Sequence, residues 1–69
     1  MGFSYKPLWK LLIDKGMKKK DLRELVGLHP ATIAKMGKDE YVTMEVLSKL
    51  CEYFNCRIED IIEYVPADR

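Results

Sequence analysis

At 69 residues and a net charge of +1, the chain forms one domain at most, which excludes a two-domain enzyme or a separate cofactor domain. Its 48% apolar and 10% aromatic content excludes a disordered chain, but so short a chain buries only about 60% of its unfolded surface and has a thin core. The near-neutral total hides a polarity: residues 1–38 hold nine Lys/Arg and three Asp/Glu (net +6), residues 39–69 three and eight (net −5), which points to a basic surface for an anionic partner and an acidic surface turned away from it.

Apolar residues recur at helical spacing between Pro7, Gly16, Gly27, Pro30, Gly37 and Pro66. A first helix is expected over Tyr5–Lys15, with Pro7 in its first turn, where a missing N–H has no intrahelical partner. Leu8, Leu11, Leu12 and the stem of Lys15 form its inner face, Trp9 and Ile13 a neighbouring stripe, and Gly16 its left-handed cap. A second helix over Lys19–Val26 places Leu22, Leu25 and Val26 inward, and Gly27 ends it. Leu28 and His29 make a turn, with His29, an uncommon residue for the role, as N-cap of a third helix from Pro30 to Met36 that turns Ile33 and Met36 inward. Residues Gly37 to Val42 read as a polar loop. Thr43 caps a fourth helix running to Phe54, with Leu47, Leu50, Cys51 and Phe54 inward, Val46 beside them and Asn55 as left-handed cap. A fifth helix over Ile58–Tyr64 groups Ile58, Ile61, Ile62 and Val65, with Glu59 and Asp60 opposing the positive end of its dipole and Pro66 stopping it. No stretch alternates with period two for long enough to demand a strand. Tyr5, Trp9, Tyr53 and Tyr64 fall on helical faces and read as core or rim.

No run of about 20 apolar residues is present, and the N-terminus lacks the features of a signal peptide. Met1-Gly2 is followed by Lys6 where a myristoylation signal needs Ser or Thr. The chain reads as cytoplasmic, and Met1 and the stop soon after Pro66 read as natural ends. Cys51 and Cys56 are too few for a disulfide framework and lack further ligands for a metal, His29 being far off in sequence; they read as a small core residue and a part-buried thiol. No metal, cofactor or small-molecule ligand is expected. No nucleophile–base pair or Gly-rich phosphate loop is visible, so an enzyme is not expected either.

The informative stretch is the pair of helices joined across Gly27. Leu22 and Val26 on one side, with Leu28, Ile33 and Met36 on the other, set a fixed crossing and leave the outer face of the third helix exposed, as insertion into a DNA major groove requires. The run from Lys19 to Met36, KKDLRELVGLHPATIAKM, and the run from Thr43 to Ile62, TMEVLSKLCEYFNCRIEDII, resemble the Xre family, the phage-repressor/Cro-type helix-turn-helix regulators, over Leu8 to Val65.

That resemblance implies an all-α fold: a compact five-helix, lambda-repressor-like DNA-binding domain over residues 5–65, with the helix-turn-helix at 19–36 and short tails at 1–4 and 66–69. It implies a transcription regulator, a repressor by expectation, that binds double-stranded operator DNA as a homodimer. Carried onto this chain, the base-reading positions are Pro30, Ala31, Thr32 and Lys35, with Ala34 nearby. This lean set points to modest specificity, or to specificity read partly through DNA shape. Lys18, Lys19, Lys20, Arg23 and Lys38 are the phosphate-contact candidates. The C-terminal helix is the family's usual dimer element, making Phe54, Ile62, Tyr64 and Val65 interface candidates. Three positions depart from the family pattern. Arg23 stands where a small residue is usual and must turn its head outward. Lys19 stands where Gln is common, and the loop after the third helix is about one residue shorter, carrying Asp39 and Glu40, two carboxylates set to repel a DNA backbone. The alternative reading is a protein-interaction module of the same fold, antitoxin-like or partner-binding, without DNA binding.

Overall fold

The computed structural model describes residues 2–66. Four helices enclose a single core, and the two ends of the described chain meet in a small sheet. Strand β1 (Gly2–Ser4) pairs antiparallel with β2 (Glu63–Val65), in the register Gly2 to Val65, Phe3 to Tyr64 and Ser4 to Glu63. Between them lie α1 (Lys6–Asp14), α2 (Lys19–Asp21), a π-helical stretch (Leu22–Val26) that continues α2, α3 (Pro30–Gly37), α4 (Met44–Phe54) and a 3-10 turn (Ile58–Asp60).

Each helix is set by local chemistry. Pro7 sits in the first turn of α1, and the amide of Leu8, one of the donors a helix start leaves over, goes to the Ile61 carbonyl at 3.2 Å. Leu8 and Leu12 are buried by α1, whereas Ile13 and Lys15, expected on or beside its inner face, are exposed. The Asp21 carboxylate accepts from the Lys18 amide at 2.9 Å and caps α2. Thr43 caps α4, its Oγ1 accepting from Val46 N–H at 3.3 Å, and Asn55 ends it in the left-handed region at φ 52°. The core consists of Tyr5, Leu8, Leu12, Leu22, Leu28, Met36, Leu47, Leu50, Phe54 and Ile61.

Three expectations are corrected. The expected fifth helix is instead a single 3-10 turn followed by β2, so the helices among the described residues number four. The Ile61 carbonyl, which a helix would give to the Val65 amide, takes the Leu8 amide, and the backbone beyond it is engaged by β1. The same pairing makes Gly2–Ser4 part of the fold in place of a tail; Met1 and residues 67–69 lie outside the described residues, so of the expected tail at 66–69 only Pro66 is within them. Second, the helix expected over Lys19–Val26 has that span but winds as a π-helix from Leu22, with the Gly27 and Leu28 amides both reaching the Leu22 carbonyl at 3.0 Å. A wider turn advances each residue by less than the about 100° of an α-helix, which carries Leu25 off the inner face. Leu25 is accordingly 57% exposed, while Leu22 is buried. Third, Phe54 is 9% exposed and belongs to the core, so it is not free to form a dimer surface.

Candidate nucleic-acid interface

Gly27 reverses the chain after the π turn at φ 90° and ψ 26°, a conformation in which a Cβ would crowd the following carbonyl. Leu28, the next residue, is buried and anchors the turn. His29 then caps α3: its Nδ1 accepts from the Ala31 amide at 3.0 Å. A ring nitrogen here supplies the acceptor that Ser, Thr, Asp or Asn supplies at most helix starts. Met36 is fully buried and Ile33 half-buried, and they hold α3 by its inner side.

The opposite side of α3 faces solvent. Pro30, Ala31, Ala34 and Lys35 are exposed and Thr32 is half-buried. Lys18, Lys19, Lys20, Arg23 and Lys38 are also exposed. A cleft of about 270 Å³ between α2 and α3 brings together Lys19, Lys20, Arg23, Pro30 and Ile33, placing three cations beside the first residue of α3. Arg23 turns outward, its guanidinium 3.4 Å from the Glu24 carboxylate, and a pair this open to solvent contributes little to stability. The Lys19 ammonium lies 4.7 Å from the centre of the Trp9 ring.

A second cleft, of about 250 Å³, joins Thr32 and Lys35 to Tyr41, Val42, Thr43 and Val46. Tyr41 was not legible as a neighbour of this face, since only the tertiary fold carries the loop after α3 back against it. That loop also differs from expectation in what one of its carboxylates bonds. Asp39 takes the left-handed conformation at φ 57° that ends α3, and its carboxylate accepts from the Tyr5 amide at 3.2 Å. The Tyr5 hydroxyl donates to the Glu40 carbonyl at 2.7 Å. One of the two carboxylates expected to repel DNA is thus turned toward the start of α1. Burial pushes the Tyr5 phenol above its usual pKa, the Asp39 charge adds to this, and the Val42 backbone acts in the opposite direction.

Of the dimer candidates, Ile62 is half-buried against the core, and Tyr64 and Val65 are exposed on β2. Phe3, opposite Tyr64 in the sheet, is 41% exposed and packs edge-on against its ring at 5.5 Å between centres. Cys51 and Cys56 are half-buried free thiols joined by a backbone bond from the Cys56 amide to the Cys51 carbonyl at 3.1 Å. Burial is the first cause, ahead of the nearby Cys51 and Asp60, that raises the Cys56 thiol pKa. Among the described residues no three His, Cys, Asp or Glu side chains are grouped to hold a metal ion, and no helix is long and apolar enough to cross a membrane.

Two helices held across a glycine turn, the second presenting a cation-flanked outer face, make this a helix-turn-helix domain. Residues 7–67 match the Cro/C1-type helix-turn-helix DNA-binding domain, and the chain belongs to that family. It is similar to the crystal structure of the transcriptional regulator VanUg, with a TM-score of 0.90 at 55% identity over 94% of this chain and 87% of that one. No curated protein sequence matches it.

Proposed function

We propose that this chain is a transcriptional regulator that binds double-stranded DNA with sequence specificity, acts in the cytoplasm as a homodimeric repressor, and inserts α3 into the major groove. The observation that carries the reading is the free outer face of α3, flanked by cations from α2 while its inner face is held by Met36 and Ile33. Family membership and the likeness to VanUg support the regulatory part. Repression requires nothing beyond occupancy of the operator.

In this reading Pro30 and Ala31 offer apolar contact to thymine methyls, Thr32 offers a hydroxyl or methyl, and Lys35 donates to guanine O6 and N7. Lys18, Lys19, Lys20, Arg23 and Lys38 neutralise phosphates and make binding salt-dependent. Tyr64 and Val65, with Ile62 behind them, supply the self-complementary patch in place of the buried Phe54.

Selection from a pool of random duplexes at two salt concentrations tests the reading. The expected result is an enriched motif of two half-sites about 34 Å apart, one turn of the duplex. Lys35→Ala then relaxes a single position of each half-site and costs about 1–3 kcal/mol on the selected sequence. Salt-sensitive binding without a motif would reduce the role to electrostatic packing of DNA. An absence of binding at low salt would overturn the reading and leave a protein partner as the occupant of this face.

A further inference from the structure

Lys19 opens α2, where its charge meets the positive end of the helix dipole and its long stem is free to sample many rotamers. Two neighbours oppose that freedom. The Trp9 ring lies 4.7 Å from the Lys19 Nζ, within range of cation–π attraction. The same Nζ is 3.6 Å from where a Cβ on Gly37 would stand. Gly37 is the last residue of α3, at the negative end of that helix dipole. The ammonium is therefore held between an aromatic face on α1 and the C-terminal end of α3. None of the hydrogen bonds or ion pairs among the described residues uses its N–H groups. Three donors remain for an outside acceptor, in a side chain that also lines the cleft with Lys20, Arg23 and Pro30.

We infer that Trp9 is a positioning residue for DNA binding: its ring, with the open backbone at Gly37, holds the Lys19 ammonium ready for one phosphate of the duplex. The inference rests on the DNA-binding function proposed above. An unheld lysine loses rotamer freedom each time it engages a phosphate; one already held by Trp9 loses less, and the difference is gained as affinity.

A double-mutant cycle tests this, using wild type, Trp9→Leu, Lys19→Met and the double variant on a fluorescein-labelled pool of random-sequence duplex. Affinity is read at several salt concentrations between about 50 and 200 mM. Lys19→Met lowers the slope of log K against log salt by about 0.9, the value of one phosphate contact. Trp9→Leu weakens binding about three- to fivefold, as loss of an exposed cation–π contact implies, and leaves that slope near the wild-type value, since Lys19 still meets its phosphate. The double variant binds like Lys19→Met alone. Thermal melting of each protein separates these effects from unfolding. Trp9→Phe, which keeps an apolar ring with weaker attraction for a cation, falls between wild type and Trp9→Leu and carries the cycle if the leucine variant does not fold. Wild-type affinity in Trp9→Leu, or losses that multiply in the double variant, would overturn the positioning role while leaving DNA binding intact. Failure of wild type to bind at the lowest salt would overturn the DNA-binding reading and this inference with it.

Discussion

At the scale of single residues, Tyr5 joins the start of the chain to its middle. It is 2% exposed, its amide donates to the Asp39 carboxylate, and its hydroxyl donates to the Glu40 carbonyl. These two bonds fasten the start of α1 to the loop that ends α3, which borders the proposed DNA face. Removing the hydroxyl in Tyr5→Phe is expected to cost about 1 kcal/mol at neutral pH, the net worth of one intramolecular hydrogen bond, in a urea titration. The phenol pKa is raised above 10.0 in the folded chain, so the folded state holds its proton more tightly than the unfolded state. The resulting stabilisation is complete below the unfolded value and is lost as pH rises through the folded one. The wild type therefore weakens above pH 10, and Tyr5→Phe flattens that decline; an equally steep decline in the variant would show that other groups govern it. Sequence alone placed Tyr5 at the core or rim and left Asp39 as a source of repulsion. Residues 34 positions apart carry no local signal of their pairing, so the role of Asp39 was not legible. The same holds for the ring of Trp9 beneath Lys19.

At the scale of elements, what was legible follows from chemistry confined to a few neighbouring residues. The spans of α1, α3 and α4 were set by Pro7, Pro30, Thr43 and Asn55, whose effects act within a turn. The winding of the second helix was not legible, because Leu22, Leu25 and Val26 fit the α spacing and one turn is too short to reveal a wider one; the bonds to the Leu22 carbonyl distinguish the two. The final segment was misread because Ile58, Ile61, Ile62 and Val65 have helical spacing, while the competing strand partner, β1, lies at the other end of the chain. The cap of α3 was legible in position and surprising in residue. Because His29 Nδ1 satisfies the Ala31 amide, His29→Ala leaves that donor to solvent and is expected to cost about 1 kcal/mol, with fraying confined to the first turn of α3. His29→Asn restores an acceptor at the same place and recovers the loss. Denaturation of the three proteins, with amide exchange at Ala31 and Thr32, checks this, and equal stability of His29→Ala and wild type would mean that water replaces the ring at no cost. Since Pro30, Ala31 and Thr32 are the proposed base readers, the same variant is expected to blur the selected motif more than it weakens overall binding.

At the scale of the whole molecule, the charge polarity of the sequence carries over to the surface only in part. Six of the nine cations of the first half, Lys18, Lys19, Lys20, Arg23, Lys35 and Lys38, lie on or beside α2 and α3, whereas Lys6 and Lys10 on α1 line a cleft with Glu59, Asp60 and Glu63. The small sheet that ties the ends together has two strands of three residues, too little to be stable without support, and it presents Phe3, Tyr64 and Val65 to solvent. Beside it runs an apolar groove of about 380 Å³ lined by Phe3, Tyr41, Met44, Ile58 and Ile62 among others. A second copy docked on this surface about a two-fold axis would cover the exposed rings and bring two acidic halves, each of net −5 over residues 39–69, toward each other. Their repulsion is screened by salt, whereas attraction of the basic face to phosphate is weakened by it. Raising the salt is therefore expected to tighten the proposed homodimer while it loosens the proposed complex with DNA. Tyr64→Asp, which adds a carboxylate to the patch without touching the core, is expected to shift the chain to monomer and to leave binding to a single half-site unchanged while abolishing preference for paired half-sites. Sedimentation at two salt concentrations, with wild type and variant, measures the first effect, and binding to one-site and two-site duplexes measures the second. A Tyr64→Asp chain that remains dimeric would move the interface away from the sheet, and a dimer that weakens with salt would mean that opposite charges, rather than the apolar patch, hold the copies together.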